Sequence, residues 1–102
     1  DALPIYFVVM VYAGWKKMDL SKVPQDAPPT FLTSAGLDDV FHARQTVQFY
    51  NALFDAKIPV ELHIYSHGGH GGGIAPRDGI PFGTWQTRFV EWARDLGMLP
   101  KR

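Results

Sequence analysis

The spacing of apolar and polar positions divides the chain into alternating strands and helices. Ile5-Tyr-Phe-Val-Val-Met-Val-Tyr12 is apolar throughout, rich in β-branched and aromatic residues, and closed by Gly14. A run with no polar face suits a parallel strand covered by helices on both sides. The stretch from Trp15 to Pro29 is polar and broken by Pro24, Pro28 and Pro29, which predicts a loop. Thr30-Phe-Leu-Thr-Ser34 is a second short buried strand, ended by Ala35-Gly36. From Ala43 to Ala56, Val47, Tyr50, Leu53 and Phe54 recur at helical spacing, and Lys57-Ile58-Pro59 stops the helix.

Val60-Glu-Leu-His-Ile-Tyr65 alternates, with Val60, Leu62 and Ile64 on one face and Glu61, His63 and Tyr65 on the other. Alternation of this kind predicts a strand near a sheet edge. A loop rich in glycine follows (Gly68, Gly69, Gly71, Gly72, Gly73) and continues through Pro76 and Pro81. The last element runs from Thr84 to Leu96, with Trp85, Phe89, Trp92, Ala93 and Leu96 along one stripe, Thr84 as N-cap and Gly97 as the C′ residue. Strand–helix–strand with a helical connection implies a parallel pair. The fold class is therefore α/β, with about three strands and two helices. So few strands around an all-apolar one make a poor independent domain, so residues 1–102 are expected to form part of a larger sheet. The first residue is Asp1, which agrees with a piece of a longer chain.

Composition narrows the function classes. Lys plus Arg number 10 and Asp plus Glu number 10, so no net charge or basic run favours nucleic acid or an anionic membrane surface. Hydrophobic residues make up 46% of the 102 positions, too many for a disordered segment. With no cysteine, disulfides and Cys-zinc sites are excluded. The longest apolar run, Ile5 to Ala13, is too short to cross a bilayer as a helix, and Asp1 stands where a signal peptide would be basic.

In open parallel sheets, functional groups gather in the loops after the carboxyl ends of strands. Two such loops carry titratable groups here: Gly36-Leu-Asp-Asp39 and His67-Gly-Gly-His-Gly71. Parallel neighbouring strands would place both on one rim. A carboxylate that orients an imidazole and stabilises its protonated form is half of an acyl-transfer triad. Asp38 and His70 are the candidates. The plainer alternatives are that Asp38 or Asp39 caps the following helix, and that the glycines around His70 form a turn. His63, His67 and His70 lack the helical H-E-x-x-H spacing of a metal site, so no metal is expected. No organic cofactor is expected either. The Trp85/Phe89/Trp92 stripe is read as core packing.

The segments Pro29-Thr-Phe-Leu, Asp38-Asp39, Gln48-Phe-Tyr-Asn-Ala-Leu53, Ile58-Pro-Val-Glu-Leu-His-Ile-Tyr-Ser-His-Gly-Gly-His-Gly71 and Trp85…Arg88-Phe89…Trp92 resemble the C-terminal part of α/β-hydrolase esterases. The acetyl-xylan-esterase-like or dienelactone-hydrolase-related group is the nearest in character. The resemblance covers about residues 3–99. It implies that the catalytic histidine falls on His70 and the acid on Asp38. Leu37 replaces the first acid of the usual pair and Asp39 stands where proline is common, which leaves Asp39 as the alternative acid. The family's nucleophile sits in a G-x-S-x-G elbow earlier in the chain. Ser21, Ser34 and Ser66 all lack that elbow, so these residues alone are expected to be inactive. The resemblance thus implies part of a serine carboxylesterase for small or carbohydrate-linked, acetyl-type esters, completed by the remaining N-terminal part of the hydrolase. Rival readings are the C-terminal part of a prolyl-oligopeptidase-like serine peptidase, or a non-catalytic interaction module on a degenerate hydrolase fold.

Overall fold

The computed structural model describes residues 7–11, 23–37, 39–68 and 80–100. Within them the order is β1 (Val8–Val11), β2 (Thr30–Ala35), α1 (Val40–Asp55), β3 (Val60–Tyr65), a 3₁₀ turn (Pro81–Thr84) and α2 (Trp85–Asp95). The three strands form one parallel sheet in the order β1-β2-β3. Met10 lies opposite Leu32, and Leu32 opposite Leu62, so one row of apolar residues crosses the sheet. The described part of the first predicted strand is Val8–Val11; Ile5, Tyr6 and Tyr12 fall outside the described residues.

β2 is buried along its whole length because helices cover both of its faces. Successive side chains of a strand point to opposite sides. Phe31 accordingly packs with Trp92 and Ala93 of α2, and Val9, Trp85, Phe89 and Met98 lie against them. Its neighbour Leu32 packs with Leu53 and Ile58 on the α1 side, joined by Met10, Phe49, Tyr50, Val60 and Leu62. β3, which among the described residues is the edge strand beside β2, is half-buried on both faces; the expected alternation does not appear in its burial, and Ile64 of the apolar row is its exposed residue. Two buried hydroxyls of the sheet have backbone partners: Thr33 Oγ1 donates to the His63 carbonyl at 2.9 Å, and Thr30 Oγ1 to that of Pro28 at 3.0 Å, whereas Ser34 Oγ has none among the described residues.

α1 begins at Val40, three residues before the apolar spacing indicates. The spacing starts late because the first turn, Val40-Phe41-His42, presents its apolar side chains outward: Val40 and Phe41 are 47% and 58% exposed. The buried face is Ala43, Thr46 and Leu53, while Val47 and Phe54 from the expected stripe are exposed. A buried Thr46 is tolerated because its hydroxyl donates to the His42 carbonyl one turn back, at 2.7 Å.

Both helices end in the same way. After α2, Gly97 N–H donates to the Arg94 carbonyl at 3.0 Å and Met98 N–H to that of Ala93 at 2.9 Å, a full Schellman motif with Gly97 at φ 80°. After α1, Lys57 N–H donates to Phe54 and Ile58 N–H to Leu53, both at 3.0 Å, but here the left-handed residue is Lys57 at φ 62°. That conformation costs an L-residue about 1–2 kcal/mol, part of which glycine forfeits through its larger unfolded-chain entropy. Lys57→Gly is therefore expected to stabilise the protein by about 0.5–1 kcal/mol. Gly97→Ala, whose new Cβ would meet nothing within 4 Å, should destabilise it through the backbone alone. Denaturant midpoints of the two variants, moving in opposite directions, are the check.

At the other end of α2 the expected cap takes a different form. Thr84 occupies the N-cap position without a side-chain cap bond. Its hydroxyl instead donates to the Pro81 carbonyl at 2.6 Å, because the 3₁₀ turn before the helix supplies a closer acceptor.

Candidate active site

The carboxyl ends of β2 and β3 lie side by side. The register runs from Thr30 opposite Val60 to Ala35 opposite Tyr65, and the chains stay together past the strands. Gly36 N–H donates to the Tyr65 carbonyl, and Leu37 N–H to that of Ser66 at 2.9 Å. Gly36 allows this approach, since a Cβ there would stand 3.2 Å from Ile64 Cγ2 and 3.4 Å from the Tyr65 oxygen. The two loops that carry the sequence candidates thus depart from one rim. Asp38 and His70 themselves lie outside the described residues, as do Gly69 and Gly71 to Gly73.

Asp39, the alternative acid, is described. It stands at the N-cap position of α1 but makes no side-chain cap bond. Its Oδ1 lies 2.7 Å from Nδ1 of His42, one helical turn on, with side chains 9% and 26% exposed. His42 also meets the Phe41 ring edge-on, with centroids 5.0 Å apart. His42 was not among the residues the sequence pattern singled out. The signal was there, as Asp and His at i and i+3, but it could be read only with the helix starting at Val40. Charge-assisted hydrogen bonds contribute about 1.5–3 kcal/mol. Given the partial exposure of His42, Asp39→Ala is expected to cost about 1–2 kcal/mol of stability. Thermal unfolding of Asp39→Ala against His42→Ala, with the double variant closing the cycle, measures the coupling.

His63 is a half-buried strand residue, as its position predicts. Nε2 lies 2.8 Å from Glu61 Oε2, and its ring is 5.5 Å from that of Phe31. The aromatic stripe of α2 is core: Phe31 has ring neighbours Trp85, Phe89 and Trp92 at 6.3, 5.7 and 5.6 Å. Among the described residues no three His, Asp or Glu side chains converge as a metal site would require. Tyr65, at the end of β3, has a buried hydroxyl with no hydrogen-bond partner among the described residues. Burial pushes its phenol above the ordinary tyrosine value, with the Arg88 guanidinium acting weakly in the other direction. Tyr65 is thus a neutral phenol at the end of β3, its ring 5.6 Å from that of Phe82.

A parallel sheet with one helix on each face, and paired loops at the carboxyl rim, is the C-terminal architecture of an α/β-hydrolase of the serine-hydrolase type. Residues 10–96 match the prolyl oligopeptidase family, and the chain belongs to that family. Among solved structures it is similar to the acetyl ester-xyloside bifunctional hydrolase from Caldicellulosiruptor lactoaceticus. That similarity has 32% identity and a TM-score of 0.67, over 76% of this chain and 28% of that one. The chain therefore spans less than a third of the length of that neighbour. No curated protein matches it. The esterase-like α/β-hydrolase resemblance seen in the sequence is borne out by both the family and this neighbour.

Proposed function

We propose that this chain supplies the acid and the histidine of a Ser–His–Asp triad in a hydrolase of small or carbohydrate-linked, acetyl-type esters. The observation that carries the reading is the lacing of the two rim loops through Gly36–Tyr65 and Leu37–Ser66. Asp38 follows Leu37 directly, and His70 lies four residues beyond Ser66. Asp39 is already engaged by His42, which favours Asp38 as the carboxylate directed to the histidine. In this reading His70 takes the proton of the serine as general base and returns it to the leaving alcohol as general acid. Asp38 holds the imidazole in the required tautomer. The nucleophile and the oxyanion-hole donors belong to the preceding part of the hydrolase. That part also supplies strands beside β1, which pairs on one side only among the described residues. The reaction as drawn uses only these protein groups, and the alcohol partner is a small molecule or a carbohydrate rather than nucleic acid or membrane.

Acetyl specificity is supported by the similar structure, an acetyl ester-xyloside bifunctional hydrolase. Membership of the prolyl oligopeptidase family favours a second reading, a serine peptidase. Steady-state hydrolysis by the complete hydrolase separates the two. An esterase turns over aryl acetates and acetylated xylo-oligosaccharides far faster than a prolyl peptide amide. The reverse order would make the chain part of a peptidase.

A further inference from the structure

The 3₁₀ turn Pro81–Thr84 is more than a lead-in to α2. Phe82 within it is fully buried although the turn's flanks, Pro81 and Thr84, are exposed. Its ring lies 5.6 Å from that of Tyr65, the last residue of β3. It also lies directly against Gly68, three residues further on. A Cβ built on Gly68 would stand 2.4 Å from Phe82 Cδ2, 2.8 Å from its Cβ and 2.9 Å from its Cγ. Two of those atoms sit at the root of the side chain, so rotation of the ring cannot relieve the overlap. Gly68 has φ 149°, a conformation that side-chain-bearing residues rarely adopt. Close contact and backbone conformation therefore impose glycine at the same position independently.

We propose that Phe82 is a positioning residue of the histidine loop. Its ring, seated on Tyr65 and Gly68, sets where the chain leaves β3 on its way to His70, two residues beyond Gly68. A general base must meet its proton donor within hydrogen-bond reach, so a shift of about 1 Å at the root of its loop costs rate far more than stability predicts. The Phe82 wedge fixes the described end of that connection, at Gly68. The inference rests on the reading of His70 as general base and extends it to a residue twelve positions away in sequence.

The test uses the complete hydrolase and a short-chain aryl ester, with kcat, KM and melting temperature measured for each variant. Phe82→Ala is expected to lower kcat about 10- to 100-fold with KM changed less than about threefold, the scale set by misplacing a catalytic group. Phe82→Leu, which refills most of the volume, should recover much of that loss. Gly68→Ala should reproduce the kcat defect from the other side of the contact, and it stands in if Phe82→Ala does not fold. Leu53→Ala is the control, since it opens the core on the opposite face of the sheet, where Leu53 packs with Leu32. It should lower the melting temperature while the folded enzyme keeps a near-normal kcat. Near-normal kcat in folded Phe82→Ala and Gly68→Ala proteins overturns the proposal, as does an equal kcat loss in Leu53→Ala. His70→Ala, assayed alongside, separates the two failures. If it is inactive while the Phe82 and Gly68 variants are normal, only the positioning role falls. If it is active, the triad reading falls and takes the positioning role with it.

Discussion

His70→Ala should lower kcat for a short-chain aryl ester by on the order of 10⁵- to 10⁶-fold in the complete hydrolase, because a triad base and its nucleophile act as one unit. Without the imidazole the serine stays protonated, and what survives is substrate binding and the oxyanion hole. Asp38→Asn should cost about 10⁴-fold, since the imidazole then loses the partner that fixes its tautomer. Asp39→Asn is the discriminating control: its carboxylate lies 2.7 Å from His42 Nδ1, so the change should act through stability and leave kcat within about tenfold, far short of a lost triad acid. His63→Ala and His67→Ala should be mild as well. His63 is tied to Glu61 within β3, and His67 precedes the Gly-Gly-His-Gly segment. Steady-state hydrolysis with circular dichroism as the folding check decides the matter. A folded His70→Ala protein with normal turnover removes His70 from the mechanism. A dead His67→Ala or Asp39→Asn protein moves the assignment to that residue.

Sequence pattern carried the elements well where burial is uniform or the sequence strictly alternates. β2 was legible because both faces are covered and every residue from Thr30 to Ala35 is buried. β3 was legible from its alternating sequence, although its burial does not alternate: five residues are half-buried and Ile64 is exposed. The start of α1 was not, because Val40 and Phe41 are apolar yet exposed, so they break the amphipathic pattern that marks a helix face. Hydrophobicity alone could not show that Thr46 belongs to the buried side and Val47 to the open side. That choice depends on a hydroxyl satisfied by the His42 carbonyl.

The site divides along the same line. The two rim loops were predictable, since strand order and parallel pairing follow from the succession of elements. The Asp39–His42 pair required the true helix boundary. The Phe82–Gly68 contact was out of reach, because it joins the first glycine of the glycine-rich loop to a residue fourteen positions later and leaves no periodic trace. A lone phenylalanine between proline and glycine reads as a loop residue until its burial is known.

Phe31→Ala is the substitution expected to damage the fold most, at about 3–5 kcal/mol. Phe31 is fully buried on the middle strand, where no movement of an edge strand can close the space. Its ring touches an aromatic cluster drawn from α2, with Trp92, Phe89 and Trp85 centroids 5.6 to 6.3 Å away, and His63 of β3 at 5.5 Å. Tilted and edge-on aromatic pairs each add about 0.5–1.5 kcal/mol beyond the area they bury, so the loss exceeds the transfer of one side chain. Rigid rings also collapse poorly into a cavity, which pushes the cost toward the upper end of the range. Phe31→Leu keeps most of the volume and all of the apolar character, and should cost less than half as much. The comparison to make is with Leu53→Ala on the other face of β2, which removes an aliphatic contact of comparable burial. Urea unfolding of the three variants should rank Phe31→Ala as equal to or worse than Leu53→Ala, with Phe31→Leu well above both. If Phe31→Ala proved the mildest of the three, the aromatic cluster between β2 and α2 would not be what holds α2 on the sheet, and the α1 face would carry the stability instead.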